Sequence, residues 1–443
     1  MKALGAFAGK RYAVLGLARS GRAAVHMLVD SGAQVTAWDS REEQRSTLPD
    51  DVAIGDPTAI DLTGFDGVVV SPGVPLNRHP IVDAAKRASV PLIGDIELFA
   101  QMRDELPPHR VVGITGTNGK STTTALIHHI LREAGVPSLI GGNFGNPILG
   151  EQQLAPDGVY VLELSSYQID ITQTLSCDVA VLLNITPDHL DRYAGFEGYA
   201  AAKARLFEVQ APDRHAVFGT GDPQTRAVSQ REKARRAPGL VHDVDGAELA
   251  DRQGDWPSLQ GPHNLQNVAA AVATVEAIGL TSDQWLPALT SFRGLPHRME
   301  RVTDHGGVTF INDSKATNPA SAAPALAAFP PDPDPRIHWI CGGLPKGDTL
   351  EECEQYFDYV KAAYTIGDAG ALFADLLAPH TRVTRSEMLG DAVREAISAG
   401  EPGDVVLLAP ACASFDQFRD YEARGDAFRQ IVEALVGDME IGA

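Results

Sequence analysis

Residues Gly116, Thr117, Asn118, Gly119, Lys120, Ser121 and Thr122 are the ones whose types and order most directly suggest chemistry. The β-branched residues before them read as the end of a buried strand. An apolar helix through Leu126, Ile127, Ile130 and Leu131 reads on behind them. A strand feeding a glycine turn into a helix N-terminus aims backbone N–H groups and the positive end of the helix dipole at one spot, which suits a phosphate. Lys120 adds a point charge there, and the Ser121 hydroxyl can sit on Mg²⁺. The common phosphate loop runs G-x-x-x-x-G-K-[ST], whereas here only two residues separate Gly116 from Gly119-Lys120. The plain alternative is an ordinary glycine-rich turn, and the coincidence of strand, lysine and serine argues against it.

Other candidates sit where strands end. Glu163 closes the apolar run Val159–Leu162, a natural position for a Mg²⁺ ligand beside a phosphate loop, or else for a plain surface acid. His189 follows the run Val179–Leu183 together with Asp188 and Asp191, and it is either a ligand or a structural histidine. Lys203, in the helical pattern Tyr199–Phe207, reads by default as solvated. Asn264 and Asn267 open the alanine-rich helix Val268–Ile278; they either cap it or read a purine edge. Arg298, Lys315 and Lys346 bring cations into loops of the last third. A metal–nucleotide site with further cations suits phosphoryl transfer to a carboxylate or hydroxyl. The residues alone stop at an ATP-dependent transferase or ligase, with a kinase still open.

The elements that must carry these residues alternate as an α/β chain with mostly parallel sheets requires. A strand over 11–16 leads into Gly16-Leu17-Ala18-Arg19-Ser20-Gly21 and a helix, and a second strand, Ala33–Trp38, stops at Asp39. This is a Rossmann-type opening. Ala18 replaces the glycine that lets a pyrophosphate approach, which weakens a dinucleotide reading but leaves another nucleotide open. Asp39 either holds a ribose or forms a turn. A third strand, Gly67–Val70, runs into Ser71-Pro72-Gly73. Three domains are expected: 1–107, Rossmann-like; 108–297, a phosphate-loop mononucleotide fold; and 298–443, Rossmann-like. The stretch 220–257 carries neither helix nor strand signal. The last domain shows strands Val308–Ile311, Ile337–Ile340 and Asp404–Leu408, each ending in a small, polar or basic loop.

Composition narrows the class. The 443 residues are 44% hydrophobic and 21% charged, as in soluble globular chains. A formal net charge of −21 argues against a nucleic-acid surface, so anionic ligands need a local pocket. Four scattered cysteines without a CxxC pair fit a reduced cytoplasm. Neither a signal peptide nor an apolar run of roughly 18 residues for a membrane span is evident.

From Gly116 to Thr122 the chain resembles the Mur ligases, whose phosphate loop is shortened in this way. The resemblance runs on through Glu163-Leu164-Ser165-Ser166, Asn184 to Tyr193, Lys203, His263-Asn264 to Asn267, His297-Arg298-x-Glu300 and Asp313 to Asn318. Leu295 to Arg298, Asp313 to Asn318 and Ala411 to Phe418 are similar to the branch that adds D-glutamate, and the Asp-Asn-Pro-Arg motif of the diaminopimelate-adding branch is absent. The resemblance implies ATP-dependent amide formation between UDP-N-acetylmuramoyl-L-alanine and D-glutamate through an acyl phosphate, on a cytoplasmic monomer. It implies ATP phosphates and Mg²⁺ on Lys120 and Ser121, and two metal ions held with Glu163, His189 and a carbamylated Lys203. Asn264 and Asn267 would meet adenine, Asp313 the ribose, and Arg298 and Lys315 the phosphates. Ala18, Arg19 and Ser20 would form the uridine-diphosphate loop with Ser40 and Arg41 nearby, and Ser71 and Gly73 would contact the substrate. Asn143 and His189 would face the muramoyl part, Ser165 would contact the substrate, and Thr317, Lys346, Ser414 and Tyr421 would hold the D-glutamate. Ala18, Arg19 and Tyr421 depart from the residues usual at those positions. A folylpolyglutamate synthetase would lack the first domain, and a degenerate regulator would not keep Lys120, Glu163, His189 and Lys203 together.

Overall fold

The apolar runs named above all form strands. A computed structural model describes residues 1, 3–188 and 192–441, so His189 and Asp191 lie outside the described residues. The chain divides into two units, one of Met1–Asp245 with Gln266–Ala288 and one of Gly246–Leu265 with Leu289–Ala443.

The first unit holds two parallel sheets. The five-stranded one has β1 (Arg11–Leu15), β2 (Gln34–Trp38), β3 (Ala53–Ile54), β4 (Gly67–Val70) and β5 (Leu92–Ile93), in the order β3-β2-β1-β4-β5. The six-stranded one has β6 (His109–Thr115), β7 (Ser138–Gly142), β8 (Gly158–Glu163), β9 (Val179–Leu182), β10 (His215–Gly219) and β11 (Val241–Val244), in the order β11-β10-β9-β6-β8-β7. β8 and β9 are buried along their whole length, which is why they read as unbroken apolar runs. Register pairs Ile114 with Glu163 and Thr115 with Leu182. The loops after three neighbouring strands therefore open on one edge, where parallel sheets gather their ligands.

The stretch 220–257 departs from expectation. It contains the helix Pro223–Arg235, the edge strand β11 and a run of 3-10 turns over Ala247–Asp255. The helix is fastened by polar means, so it carries no apolar period. Asp222 caps it by accepting from the Thr225 N–H at 2.8 Å, Pro223 opens it, and Glu232 on its buried side pairs with Arg236 at 2.8 Å.

In the second unit, β12 (Glu300–His305), β13 (Val308–Asn312), β14 (Ile337–Gly342), β15 (Val360–Ile366), β16 (Arg382–Glu387) and β17 (Val405–Leu408) form a six-stranded sheet ordered β12-β13-β17-β14-β15-β16. Only β12 is antiparallel to its neighbour. It is tied to β13 through Gly306 and Gly307, whose φ values of 58° and 81° meet the demand of a two-residue hairpin. That Gly-Gly pair is the sequence signal for β12. β13, β17 and β14 lie side by side, which brings the loops following Asn312, Leu408 and Gly342 to one edge.

Candidate active site

The phosphate loop is built as its residue types require. Gly116 and Gly119 take φ values of 151° and 83°, and the helix Lys120–Glu133 starts directly after them. Asn184, at the end of the neighbouring β9, holds the loop from the side. Its Oδ1 accepts from the Asn118 N–H at 2.9 Å, and its Nδ2 donates to the Asn118 carbonyl at 3.1 Å. The Thr117 hydroxyl donates to the Thr186 carbonyl at 3.1 Å and accepts from the Thr186 N–H at 3.0 Å. Thr122 is half-buried in the first helical turn. Asn267 is packed so tightly on the loop that a Cβ at Gly119 would lie 2.3 Å from its Oδ1.

Lys120 curls back, its Nζ donating to the carbonyls of Gly116 at 2.9 Å and Thr117 at 2.8 Å. Ser121 donates to Glu163 Oε2 at 2.6 Å, and Asn143 Nδ2 donates to Glu163 Oε1 at 2.8 Å. Glu163 is buried at the end of β8, not a surface acid. Its carboxylate and the Ser121 hydroxyl are hard oxygen donors at hydrogen-bond distance, a set that fits Mg²⁺.

Lys203 overturns the solvated default. It is 2% exposed, its Nζ donates to the Gly116 carbonyl at 2.8 Å and sits 4.6 Å over the ring of Tyr199. Burial drives its pKa well down, and the like charge of Lys120 pushes the same way. Asp188, Glu163 and Asp170 pull against both. A lysine so placed is a ready amine nucleophile.

Beside this edge, still within the first unit, a cavity of about 490 Å³ is lined by Arg19, Ser20, Ser40, Arg41, Ser71, Gly73 and Asn143. All seven of these predicted substrate residues thus meet in one place. Asp39 adopts the turn role: its Oδ2 accepts from the Leu17 N–H at 2.8 Å, and its Oδ1 from the Arg41 N–H at 3.0 Å. The two loops at the rim are thereby tied together. Ser165 does not line the cavity; it bonds to Gln168, which does.

The second unit gathers its own set. Asp313 is buried within reach of the charges of Arg298 and Lys315, and its Oδ1 accepts from the Met299 N–H at 3.1 Å. Burial raises its pKa to about 7 against the pull of that N–H and the two cations. Lys315 Nζ lies 4.5 Å over the Tyr421 ring, and Lys346 Nζ donates to Thr317 Oγ1 at 3.3 Å. Ser414 is buried in the loop after β17. That loop is held by Arg424, a fully buried guanidinium that donates to the carbonyls of Cys412, Ala413 and Ser314 and to the Ser314 hydroxyl. Asn264 donates to the Gln260 carbonyl at 3.0 Å.

Sequence reasoning missed Asn184, Gln168 and Arg424 as site builders. Asn184 carried a signal, a polar residue directly after a buried strand, and Gln168 completes the Ser-x-x-Gln pattern of a capping box. Arg424 carried none, since in sequence it is one more arginine in a helix.

Comparison with known proteins decides the family. Residues 10–94 match the MurD-like N-terminal domain of Mur ligases, 114–275 the Mur ligase middle domain, and 297–412 the Mur ligase glutamate ligase domain. UDP-N-acetylmuramoylalanine–D-glutamate ligase of Novosphingobium aromaticivorans is 66% identical over 435 residues, covering 98% of this chain and 97% of that protein. The protein of the same name from Zymomonas mobilis is 52% identical, covering 97% and 98%. The chain belongs to the Mur ligase family. Two solved Mur ligases share its fold. UDP-N-acetylmuramate–alanine ligase from Thermotoga maritima has a TM-score of 0.56 at 18% identity, covering 96% of this chain and 99% of that one. MurF from Acinetobacter baumannii has a TM-score of 0.57 at 17% identity, covering 96% and 92%. Among the described residues of this Mur ligase, no helix is long and apolar enough to cross a membrane.

Proposed function

We propose that the chain joins D-glutamate to UDP-N-acetylmuramoyl-L-alanine at the expense of ATP, in the synthesis of peptidoglycan precursors. The observation that carries this reading is the convergence of Lys120 and Lys203 on the Gly116 carbonyl, next to the Ser121–Glu163 pair and beside an arginine-lined cavity. The names of relatives at 52–66% identity support the same substrates.

A carboxylate is a poor electrophile, and phosphorylation of the alanine carboxylate by ATP supplies a leaving group. The amine of D-glutamate then attacks the acyl phosphate, forming the C–N bond and releasing phosphate. Cations around the reacting anions lower the barrier. The loop 116–122 would hold the ATP phosphates, with Lys120 leaving its own carbonyls for them. Asn264 and Asn267 would flank adenine, Asp313 the ribose, and Arg298 and Lys315 the phosphates. Ser121 and Glu163 fit one Mg²⁺ ion, and His189 with Lys203 would serve a second; the metal supplies charge neutralisation when bound. The Lys203 amine, whose charged form burial disfavours, can add CO₂ to form a carbamate and release one proton, which would set an anion facing Lys120. Arg19, Ser20, Ser40, Arg41, Ser71 and Gly73 would take the uridine diphosphate, and Asn143, Ser165 and His189 the muramoyl part. Thr317, Lys346, Ser414 and Tyr421 would take D-glutamate. In this reading the domains divide at 107/108 and 297/298, and the enzyme works as a cytoplasmic monomer.

The test is phosphate release, expected only when UDP-N-acetylmuramoyl-L-alanine, D-glutamate, ATP and Mg²⁺ are present together. Turnover with L-glutamate and none with D-glutamate would overturn the amino-acid assignment.

A further inference from the structure

Arg192 stands between β9 and the helix Gly195–Glu208, and its side chain reaches back to the loop that follows β4 in the five-stranded sheet. Its Nη1 donates to the Val74 carbonyl at 3.3 Å and its Nη2 to the Gly73 carbonyl at 3.4 Å, across 118 and 119 residues of chain. Both acceptors line the cavity, and Arg192 itself does not. Other bonds tie this loop at its base. The Ser71 N–H donates to the Leu15 carbonyl at 3.0 Å and the Ser71 hydroxyl to the Gly16 carbonyl at 2.8 Å, while the Val74 N–H closes a turn back onto Ser71. Those bonds leave the turn able to pivot about Ser71. Arg192 grips its far side.

The guanidinium is seated in turn. It lies 4.5 Å over the face of Tyr167, whose ring stacks on Tyr193 with centroids 6.0 Å apart and planes 10° apart. Tyr193 leans on Tyr199 at 5.6 Å, and the Tyr199 hydroxyl is 3.2 Å from Thr117 Oγ1 in the phosphate loop. One run of touching groups therefore leads from the cavity wall to the loop 116–122. Arginine suits the first place in it, because a flat guanidinium stacks on a ring by its face while its edge donates to two carbonyls. Two bonds of 3.3 and 3.4 Å on a half-buried side chain add little to fold stability. Their placement on two consecutive wall carbonyls sets the shape of the cavity.

We propose that Arg192 is a positioning residue which clamps the Gly73–Val74 wall onto the tyrosine stack, so that the sugar nucleotide meets a preformed wall at a fixed reach from the phosphate loop. The proposal rests on the functional reading above. A wall ordered beforehand spares the ligand the cost of ordering it. Without Arg192 the turn is held through Ser71 alone, and that cost falls on binding of the sugar nucleotide. ATP and D-glutamate are spared, since Gly73 and Val74 share their cavity with Arg19 and Arg41, and the residues assigned to D-glutamate belong to the other unit.

The experiment is steady-state kinetics on the full chain, with each of the three substrates varied in turn. Arg192→Met should raise KM for UDP-N-acetylmuramoyl-L-alanine about 5–10-fold, what loss of one or two weak hydrogen bonds amounts to. KM for ATP and for D-glutamate should stay within about twofold, and the melting temperature within about 2 °C. Arg192→Lys keeps the charge without the fork and should recover less than half of the loss. Tyr167→Leu removes the seat and should show the same split, Tyr167→Phe keeps the ring face and should resemble wild type, and Arg192→Met should add little to Tyr167→Leu. Should Arg192→Met fail to fold, the two Tyr167 variants carry the test. A uniform rise in all three KM values, full activity of Arg192→Lys, or unchanged kinetics in Tyr167→Leu would each overturn the clamp while leaving the enzyme's function intact. Absence of D-glutamate-dependent turnover in the wild type would overturn the functional reading and the clamp with it.

Discussion

Lys203 and Lys120 share one acceptor: both Nζ nitrogens bond to the Gly116 carbonyl, at 2.8 and 2.9 Å. Two lysine amines meeting on a single oxygen, one of them buried so that its charged form is disfavoured, is an arrangement that stability alone does not explain. Lys203→Met removes the buried amine at nearly constant volume. Turnover should fall by at least about 10³-fold, as when a group central to transition-state charge is deleted, while the melting temperature should not fall. In Lys203→Ala, formate or acetate should restore part of the phosphate release. A Lys203→Met chain that both melts early and retains activity would speak against this role.

Glu163 is held by Ser121 on one oxygen and Asn143 on the other, so its orientation is set before any ligand arrives. Glu163→Gln keeps the shape but loses the charge. The Mg²⁺ concentration for half-maximal turnover should rise about 10–100-fold, and chelation of Mg²⁺ should abolish activity in both proteins. Asn143→Ala should give a smaller rise, since it frees one oxygen without removing the charge.

Asp39 ties the loops that follow β1 and β2. Burial raises its pKa, but the N–H groups of Leu17 and Arg41 and the Arg41 side chain outweigh burial, and the net shift is downward. A carboxyl with a depressed folded pKa adds stability above its ordinary value of 3.8, and that stability is lost as pH falls through the folded value. Asp39→Asn should therefore narrow its melting-temperature deficit below about pH 4. At neutral pH it should raise KM for UDP-N-acetylmuramoyl-L-alanine several-fold and leave KM for ATP alone.

Asp313 has the opposite sign. Burial lifts its pKa from 3.8 to about 7, so between those values the unfolded chain has lost a proton that the folded chain still holds. Stability from this site is complete below about pH 4 and declines until pH 7. Asp313→Asn removes the decline. Its melting temperature relative to wild type should climb from pH 4 to pH 8, while its KM for ATP increases because the ribose contact is weakened. A difference that is flat with pH would show that Asp313 is ionised throughout.

Much of this site was legible because it depends on local rules. The turn 116–119 needs glycine where φ is positive, the helix behind it needs its apolar stripe, and Glu163 follows a run that can only be a doubly buried strand. The mostly parallel sheets follow from the same alternation. The polar helix Pro223–Arg235 was not legible, because a helix fastened by a cap and a buried ion pair has no apolar period to read. The strand β12 was overlooked although its Gly-Gly hairpin is in plain view.

Taken by itself, the amino-acid sequence determined the phosphate loop, the order of the sheets' strands along the chain and the residue types at each strand end, since all three are set by neighbours in the chain. Only the tertiary structure decided which of those ends meet. Register across β8, β6 and β9 brings Glu163 to the Ser121 hydroxyl, and packing of the helix Gly195–Glu208 drives Lys203 under the loop to Gly116. A lysine's spacing on a helix says which stripe it occupies, but burial is a property of what the stripe is pressed against. The same holds for Asp95 and Gln168, 73 residues apart in the chain and joined only because the helices Asp95–Met102 and Ser166–Asp170 meet in the fold.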